Sequence, residues 1–541
     1  MAPCGLRACE RGRPSRDCPV KARVAPPARG DVLAGTSVAL VLVPQSMAYA
    51  EIAGLQPSHG LYAAAAAPLA GALVGSSPYL QTGPVAVTSL LTFGALSGIA
   101  DPFTARFALL AGLLAIVVGV IRMGVGLFGG GPIAYLMSQP VVTSFTTAAA
   151  LLIIGSQVPA LLGVDTVSGS PLVEAVVALG DPHSWRRADI LLGLAAMALM
   201  LLGRRISPLF PGALLAVVAA TAWSVAVDYG STGNPGSVVG DIPVGLHMPD
   251  AMPLSDLGSL LVPGVVIALV GFAEPASIAR RYAAQDRSPW DSNREFVGQG
   301  LANVAAGVAG GYPVGGSFSR TALNRLGGAR SRWSGVFTGL AVLAVLPVAD
   351  VLAPLPTAVL AGLVIAAAIS LVDLRALGMY WRWSRPQFLV ALVTVVSTLA
   401  LAPRVERGVI VGVGTALAVH LWRELMVRVP SRLDGTSLHL WPSGVLYFGS
   451  APGMERTVNE LIAAHPQVTR VVVHLGGLGR VDLTGALTLR DLVDEARASG
   501  VELEIRGAAA RPARLLTRVL GDDALVDSTS GQGRGTQHPD Q

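Results

Sequence analysis

The sequence predicts a polytopic α-helical membrane protein of fourteen segments, arranged as two inverted seven-segment repeats and followed by a small cytoplasmic α/β domain. Three observations lead there. Of 541 residues, 52% are hydrophobic and only 13% are charged, against roughly 25% charged in soluble domains. Apolar windows recur along residues 31–425, and the third window of each half is short and follows a Gly/Pro-rich stretch. After about residue 430 the pattern changes to alternating strands and helices.

The first thirty residues hold many Arg and Pro, all three cysteines (Cys4, Cys9 and Cys18) and no apolar core of a signal peptide. They read as a disordered, reduced, basic cytoplasmic tail, and the cysteine spacing fits no common zinc motif. The apolar windows then fall at 32–54, 60–76, 84–99, 105–123, 132–155, 188–203, 211–227, 258–280, 294–310, 317–327, 334–349, 356–372, 387–402 and 408–425. A split near residue 245 gives repeats at about 31–228 and 256–425, within a membrane domain spanning 31–428.

An unaided helical span needs about 20 apolar residues. Segments 84–99 and 317–327 fall short of it, and they follow TGP at 82–84 and GGYPVGG at 310–316. Interrupted segments at matching places in two halves point to a transporter's binding site. An odd number of segments per half inverts one half relative to the other. The first window is itself broken: Pro44, Gln45, Ser46 and Glu51 interrupt an apolar run. Polar groups in hydrocarbon need partners, so such a helix lines a protein-enclosed cavity.

With a cytoplasmic N-terminus, loops after even-numbered segments should be basic. They carry Arg122, then Arg204 and Arg205, then Arg280, Arg281, Arg287 and Arg294, then Arg330 and Arg332, then Arg375, Arg382 and Arg385. The long loop 228–257 has four aspartates and no Lys or Arg, as an exterior loop should. Arg186, Arg187, Arg404 and Arg407 are the exceptions. The sequence pI of about 9.4 could suggest nucleic acid. The placement of the arginines in short loops argues for orientation signals instead. His59, His183 and His247 read as isolated exterior residues, and no metal cluster, Walker loop, catalytic triad or cofactor site is expected.

In the last part, VLYFG (445–449), VTRVVVHL (468–475) and VELEIRG (501–507) read as strands. Residues 453–464, 484–499 and 511–520 read as helices, which gives a mostly parallel sheet in a domain at 432–525. Residues 526–541 read as a disordered tail.

VPQSMAYAEIAGL (43–55), HGLYAA (59–64), TGPVAVTSLL (82–91), GFAEPASIARRYA (271–283) and GGSFSRTALN (315–324) resemble motifs of the sulfate permease family, SulP or solute carrier family 26. VDLTGALTLRDL (481–492) is similar to the STAS domain that ends many members. The resemblance covers about residues 30–525. It implies a core and a gate domain, elevator-like transport of small anions such as sulfate, bicarbonate or dicarboxylates, and a homodimer. The expected setting is the bacterial inner membrane, multi-pass, with both termini cytoplasmic.

In an inverted repeat, segments three and ten meet head to head, and their free N–H groups and positive dipole ends face one cavity. Val85 and Ala86 on one side and Phe318 and Ser319 on the other are the expected anion donors. Ser319 could instead cap its own helix. Arg320 is a buried cation beside the site, and the resemblance places the family's arginine there. Glu274 is the candidate proton carrier, because an apolar span and a nearby arginine act oppositely on its protonation; a purely structural Glu274–Arg320 pair is the alternative. Some bicarbonate-transporting relatives hold sodium with an aspartate and a threonine here, whereas this chain has Glu274 and Ile278, which favours protons over sodium. Gln45 and Tyr49 share one helical face and read as substrate-facing or as packing, and Glu51 as interfacial. Asp482 and Thr484 sit where soluble STAS proteins carry a phosphorylatable residue, but DLTG departs from that pattern and helix capping is the simpler role. The expected function is proton-coupled transport of a small anion. A nucleobase transporter of the same fold, or a membrane anion sensor signalling through the STAS domain, are the alternatives.

Overall fold

The computed structural model describes residues 26–135, 138–164, 170–207, 210–232, 234–240, 242, 252–507, 510–521 and 525–526. The tail with Cys4, Cys9 and Cys18, His247 in the acidic loop, and the C-terminal tail lie outside the described residues. The chain forms two compact units, residues 1–413 and 414–541.

In the first unit, the first half holds α1 (Arg29–Ile52), α2 (Pro57–Val74), α3 (Ala86–Leu96), α4 (Ala105–Leu127), α5 (Gln139–Leu162), α6 (Pro171–Gly180), α7 (Arg187–Ile206) and α8 (Gly212–Ala226). The second half repeats the order with α9 (Leu257–Gln285), α10 (Ser292–Val308), α11 (Phe318–Leu326), α12 (Trp333–Val345), α13 (Thr357–Ile369), α14 (Leu374–Trp383), α15 (Arg385–Ala400) and α16 (Val405–Leu425), the last running past the unit boundary. The fourteen expected segments are all helices. The two extra helices, α6 and α14, follow the fifth segment of each half. At ten residues each they fall below spanning length, so a search for spans passes over them. Their occurrence at matching places is independent support for the repeat. Arg375 and Arg382, expected in a loop, lie on α14.

Local chemistry sets the boundaries. The buried Asp31 carboxylate accepts from Ala28 N–H at 2.9 Å, Arg330 N–H at 2.7 Å and Ser331 Oγ at 2.7 Å, which fixes the start of α1 against the loop before α12. The segment expected at 132–155 instead runs Gln139–Leu162: Pro140 in the first turn starts it and Gly163 at φ 68° ends it. Helices α4 and α10 touch backbone to backbone, and a Cβ on Gly119 would fall 2.6 Å from the Gly300 carbonyl. Such close approach through glycine is how helices pack in lipid, where burial alone gives little drive. Large apolar side chains that point outward, among them Leu127, Leu191, Val262 and Leu389, suit contact with lipid tails.

Several further positions depart from the sequence reading: Arg204 and Arg205 lie in α7, Arg280 and Arg281 in α9 and Arg294 in α10, not in loops. Arg122, expected in a loop, is fully buried within α4. His59 lies in α2, not in a loop, and its Nδ1 donates to the Gly310 carbonyl at 2.6 Å. His183 is exposed, as expected.

The second unit has a sheet of order β3 (Ser431–Asp434), β4 (Ser437–Leu440), β6 (Arg470–His474), β8 (Glu502–Arg506) and β9 (Leu525–Val526), antiparallel only between β3 and β4. β5 (Gly444–Leu446) pairs with β7 (Leu478–Val481) in a second small sheet. The opening hairpin was not foreseen, because its first strand, SRLD, is fully exposed and carries no apolar alternation. The strand expected over VLYFG ends at Leu446. Helices α17 (Ala451–Ala464), α18 (Leu483–Ala498) and α19 (Ala510–Leu520) supply residues such as Met454, Val458, Leu489 and Leu516 to a core shared with Leu438, Val471 and Ile505.

Candidate anion site between two half-helices

Two short strands position the site. Thr82–Gly83 (β1) and Gly315–Gly316 (β2) pair antiparallel just before α3 and α11. Antiparallel strands send their following helices in opposite directions, so the two helix N-termini face each other across the pair. Buried polar side chains brace this crossing. Gln299 Nε2 donates to Thr82 Oγ1 at 2.7 Å. Val314 N–H donates to Asn303 Oδ1 at 2.9 Å, while Asn303 Nδ2 donates to the Val314 carbonyl at 3.2 Å. Gln81 N–H donates to Thr321 Oγ1 at 3.1 Å.

Of the residues expected to face the anion, Tyr49, Val85, Ala86, Phe318 and Ser319 share one cavity, whereas Arg320 lines a neighbouring one and Gln45 lines neither. Tyr49, Val85, Ala86, Val87, Glu274, Ser317, Phe318 and Ser319 line one cavity of about 230 Å³, together with Ala367 of α13 and Ser370 and Leu371 just after that helix. A larger cavity of about 440 Å³ adjoins it through Glu274, Phe318, Ser370 and Leu371. Another, of about 270 Å³, opens beside Ser319 and Arg320 towards Val41 and Met200. Gln45 is buried on the same α1 face, and its Oε1 has no hydrogen-bond partner. Glu51 is half-buried near the end of α1.

At the second half-helix the cap is Ser317, not Ser319. Ser317 Oγ accepts from Arg320 N–H at 3.5 Å and lies 3.2 Å from Ser319 Oγ. Ser319 is exposed to the cavity. The Phe318 N–H is not free: it donates to Glu274 Oε1 at 3.2 Å. Arg320 is 1% exposed, and Nε, Nη1 and Nη2 all lack hydrogen-bond acceptors. Among the described residues no ion pair joins it to Glu274. Its Nη2 would lie 3.6 Å from a Cβ on Gly83, which places the guanidinium against the β1 strand.

Sequence reasoning missed Ser317 and the wall at the C-terminal end of α13. A serine at the end of a glycine run and just before a helix is an N-cap signal, so Ser317 was legible. Nothing local marks Ser370 as a cavity residue. In the second unit, Asp482 caps α18 by accepting from Gly485 N–H at 2.8 Å, and Thr484 lies inside the first turn.

Inverted halves of apolar helices with facing half-helix ends define a membrane carrier architecture. Comparison with known proteins agrees. The family model for the sulfate permease family matches residues 29–394, and that for the STAS domain matches residues 429–525. The chain belongs to the sulfate permease family. It is 36% identical over 411 residues to a probable sulfate transporter of Mycobacterium tuberculosis, covering 74% of this chain and 70% of that protein. It is 32% identical to the probable sulfate transporter 4.2 of Arabidopsis thaliana, covering 88% and 75%. A sodium-independent sulfate anion transporter of Bos taurus is 29% identical, covering 90% and 85%. The fold matches that of a murine solute carrier 26 family member A9 anion transporter in the inward-facing state, with TM-score 0.83, 22% identity and coverage of 92% and 88%. The transmembrane domain of a cyanobacterial bicarbonate transporter matches with TM-score 0.60, 22% identity and coverage of 72% and 97%.

Proposed function

We propose that this protein is a proton-coupled secondary transporter that carries a small inorganic or carboxylate anion by elevator-like alternating access. Sulfate is the first candidate, on the names of its relatives; bicarbonate and dicarboxylates are the others. The observation that carries the reading is the buried Arg320 guanidinium, without an acceptor, beside two facing helix N-termini. A cation with no partner and an N-terminal turn with unpaired N–H groups both gain from a bound anion.

In this reading Ala86 and Ser319 donate to the anion, Ser317 holds the turn of α11, and Tyr49 and Gln45 form the wall. Glu274 holds the Phe318 amide and carries the coupling proton. Bilayer placement with both termini cytoplasmic, and assembly as a homodimer, complete the proposal. Uptake of radiolabelled sulfate by proteoliposomes, with unlabelled bicarbonate, dicarboxylates and nucleobases as competitors, tests it. Saturable uptake that rises as external pH falls supports it. Binding without turnover would instead mark a sensor, and competition by nucleobases alone would mark the other carrier class.

A further inference from the structure

Arg122 is fully buried in α4 and makes three hydrogen bonds. Nε donates to the Ala268 carbonyl at 3.0 Å, Nη1 to the Val314 carbonyl at 3.0 Å, and Nη2 to the Ile267 carbonyl at 3.1 Å. All three acceptors are main-chain dipoles. Among the described residues no carboxylate pairs with it. Carbonyls solvate a guanidinium but leave its full positive charge in place, and arginine does not give up its proton in proteins.

The position of this charge matters. A Cβ on Gly271 would fall 2.6 Å from Arg122 Nη2 and 3.0 Å from Thr88 Cγ2. Thr88 is in the first turn of α3. A Cβ on Gly315 would in turn meet Val85 Cγ2 at 3.1 Å, the Gly271 carbonyl at 3.4 Å and Thr88 Cγ2 at 3.7 Å. The guanidinium therefore lies behind the crossing, against α9 and the Val314 carbonyl just before β2, with Gly271 between it and Thr88 of α3, whereas Arg320 belongs to α11 and lies against Gly83.

We infer that Arg122 is a second fixed cation of the anion site, acting through space from behind Gly271 and Thr88, and that it sets a preference for divalent over monovalent anions. The inference rests on the anion-site reading above. In a low-dielectric interior the interaction of a fixed charge with a ligand scales with the ligand's charge. Removing it should therefore weaken a divalent anion by the square of the factor lost by a monovalent one. A role confined to holding Ile267, Ala268 and Val314 in place would weaken both classes alike.

Binding of a panel of anions (sulfate and selenate, nitrate and chloride) to purified full-length protein tests this. Arg122→Gln keeps amide donors but removes the charge. It should lose about tenfold for the divalent and about threefold for the monovalent anions. Arg122→Lys replaces the guanidinium with an amine that burial makes easier to deprotonate, and it should hold the wild-type ratio at the acid end of the range, where the amine is charged. As pH rises, the lysine variant should lose that ratio as the amine deprotonates, while the wild type does not. Should the glutamine variant fail to insert, this pH comparison carries the test. Equal losses for both classes, or a lysine variant whose ratio tracks wild type at every pH, would overturn the inference while leaving the site intact. A wild type that binds none of these anions would overturn the reading of the site itself.

Discussion

Arg320 has a guanidinium with no acceptor, whereas Glu274 has a carboxylate already engaged by the Phe318 amide, and the proposed roles follow this difference. In the proposed reading the cation receives the ligand and the carboxylate holds the helix end that the ligand meets. On this proposal, protonating Glu274 would weaken its hold on Phe318 and free that N–H for the anion, linking a proton to the anion donors. Glu274→Gln mimics the protonated state. We expect it to retain anion binding and lose the pH dependence of concentrative uptake, measured in proteoliposomes with an imposed proton gradient. If Glu274 only balanced Arg320, the variant would leave a buried charge unpaired, which typically costs about 3–5 kcal/mol, and would appear as poor folding. Ser319→Ala removes a hydroxyl donor but leaves the main-chain donors. A hydrogen bond to a charged ligand contributes about 1.5–3 kcal/mol, so calorimetry should show affinity falling about tenfold to somewhat over a hundredfold. An unchanged affinity would mean the hydroxyl serves only its contact with Ser317.

At the scale of elements, the half-helices were legible because Gly/Pro runs interrupt apolar windows at matching places. The strand pair that joins them was not. TG and GG carry no alternation, and their pairing spans more than two hundred residues of sequence, a tertiary fact that no local pattern holds. Arg122 was misread for a related reason: a charge at the end of an apolar window looks like a loop signal until the helix is seen to continue to Leu127. The sheet of the second unit carries its own pH prediction. His439 Nδ1 and His474 Nε2 are 3.1 Å apart, and Trp441 stacks on both rings. Burial, followed by the neighbouring His439 and Arg506, holds His474 below the ordinary histidine range, while Glu504 opposes this. The unfolded state then binds more protons than the native one as pH falls through the ordinary value of about 6.5. Stability of this sheet should fall from pH 7 to 5.5. Hydrogen exchange of β4 and β6 in the full protein should accelerate beyond the intrinsic pH trend, and His474→Phe should flatten the effect. An equal acceleration in the variant would remove His474 from the account.

For the whole molecule, the domain order was readable from composition alone: an apolar stretch of helices, then a strand–helix alternation. Residues proposed for the anion lie between 45 and 320, within the first compact unit. Removing residues 432–541 should leave a membrane unit that inserts and binds anion with near wild-type affinity, while assembly or turnover falls. Loss of binding in a folded truncation, seen by calorimetry, would tie the second unit to the site itself. The central claim is that one anion sits between the N-termini of α3 and α11. An anomalous difference map of crystals soaked in selenate tests it most directly. The account predicts a selenium peak in the cavity within hydrogen-bonding reach of the Ala86 and Ser319 amides and facing Arg320. A protein that binds selenate in solution, with its peak elsewhere and that cavity empty, would contradict it.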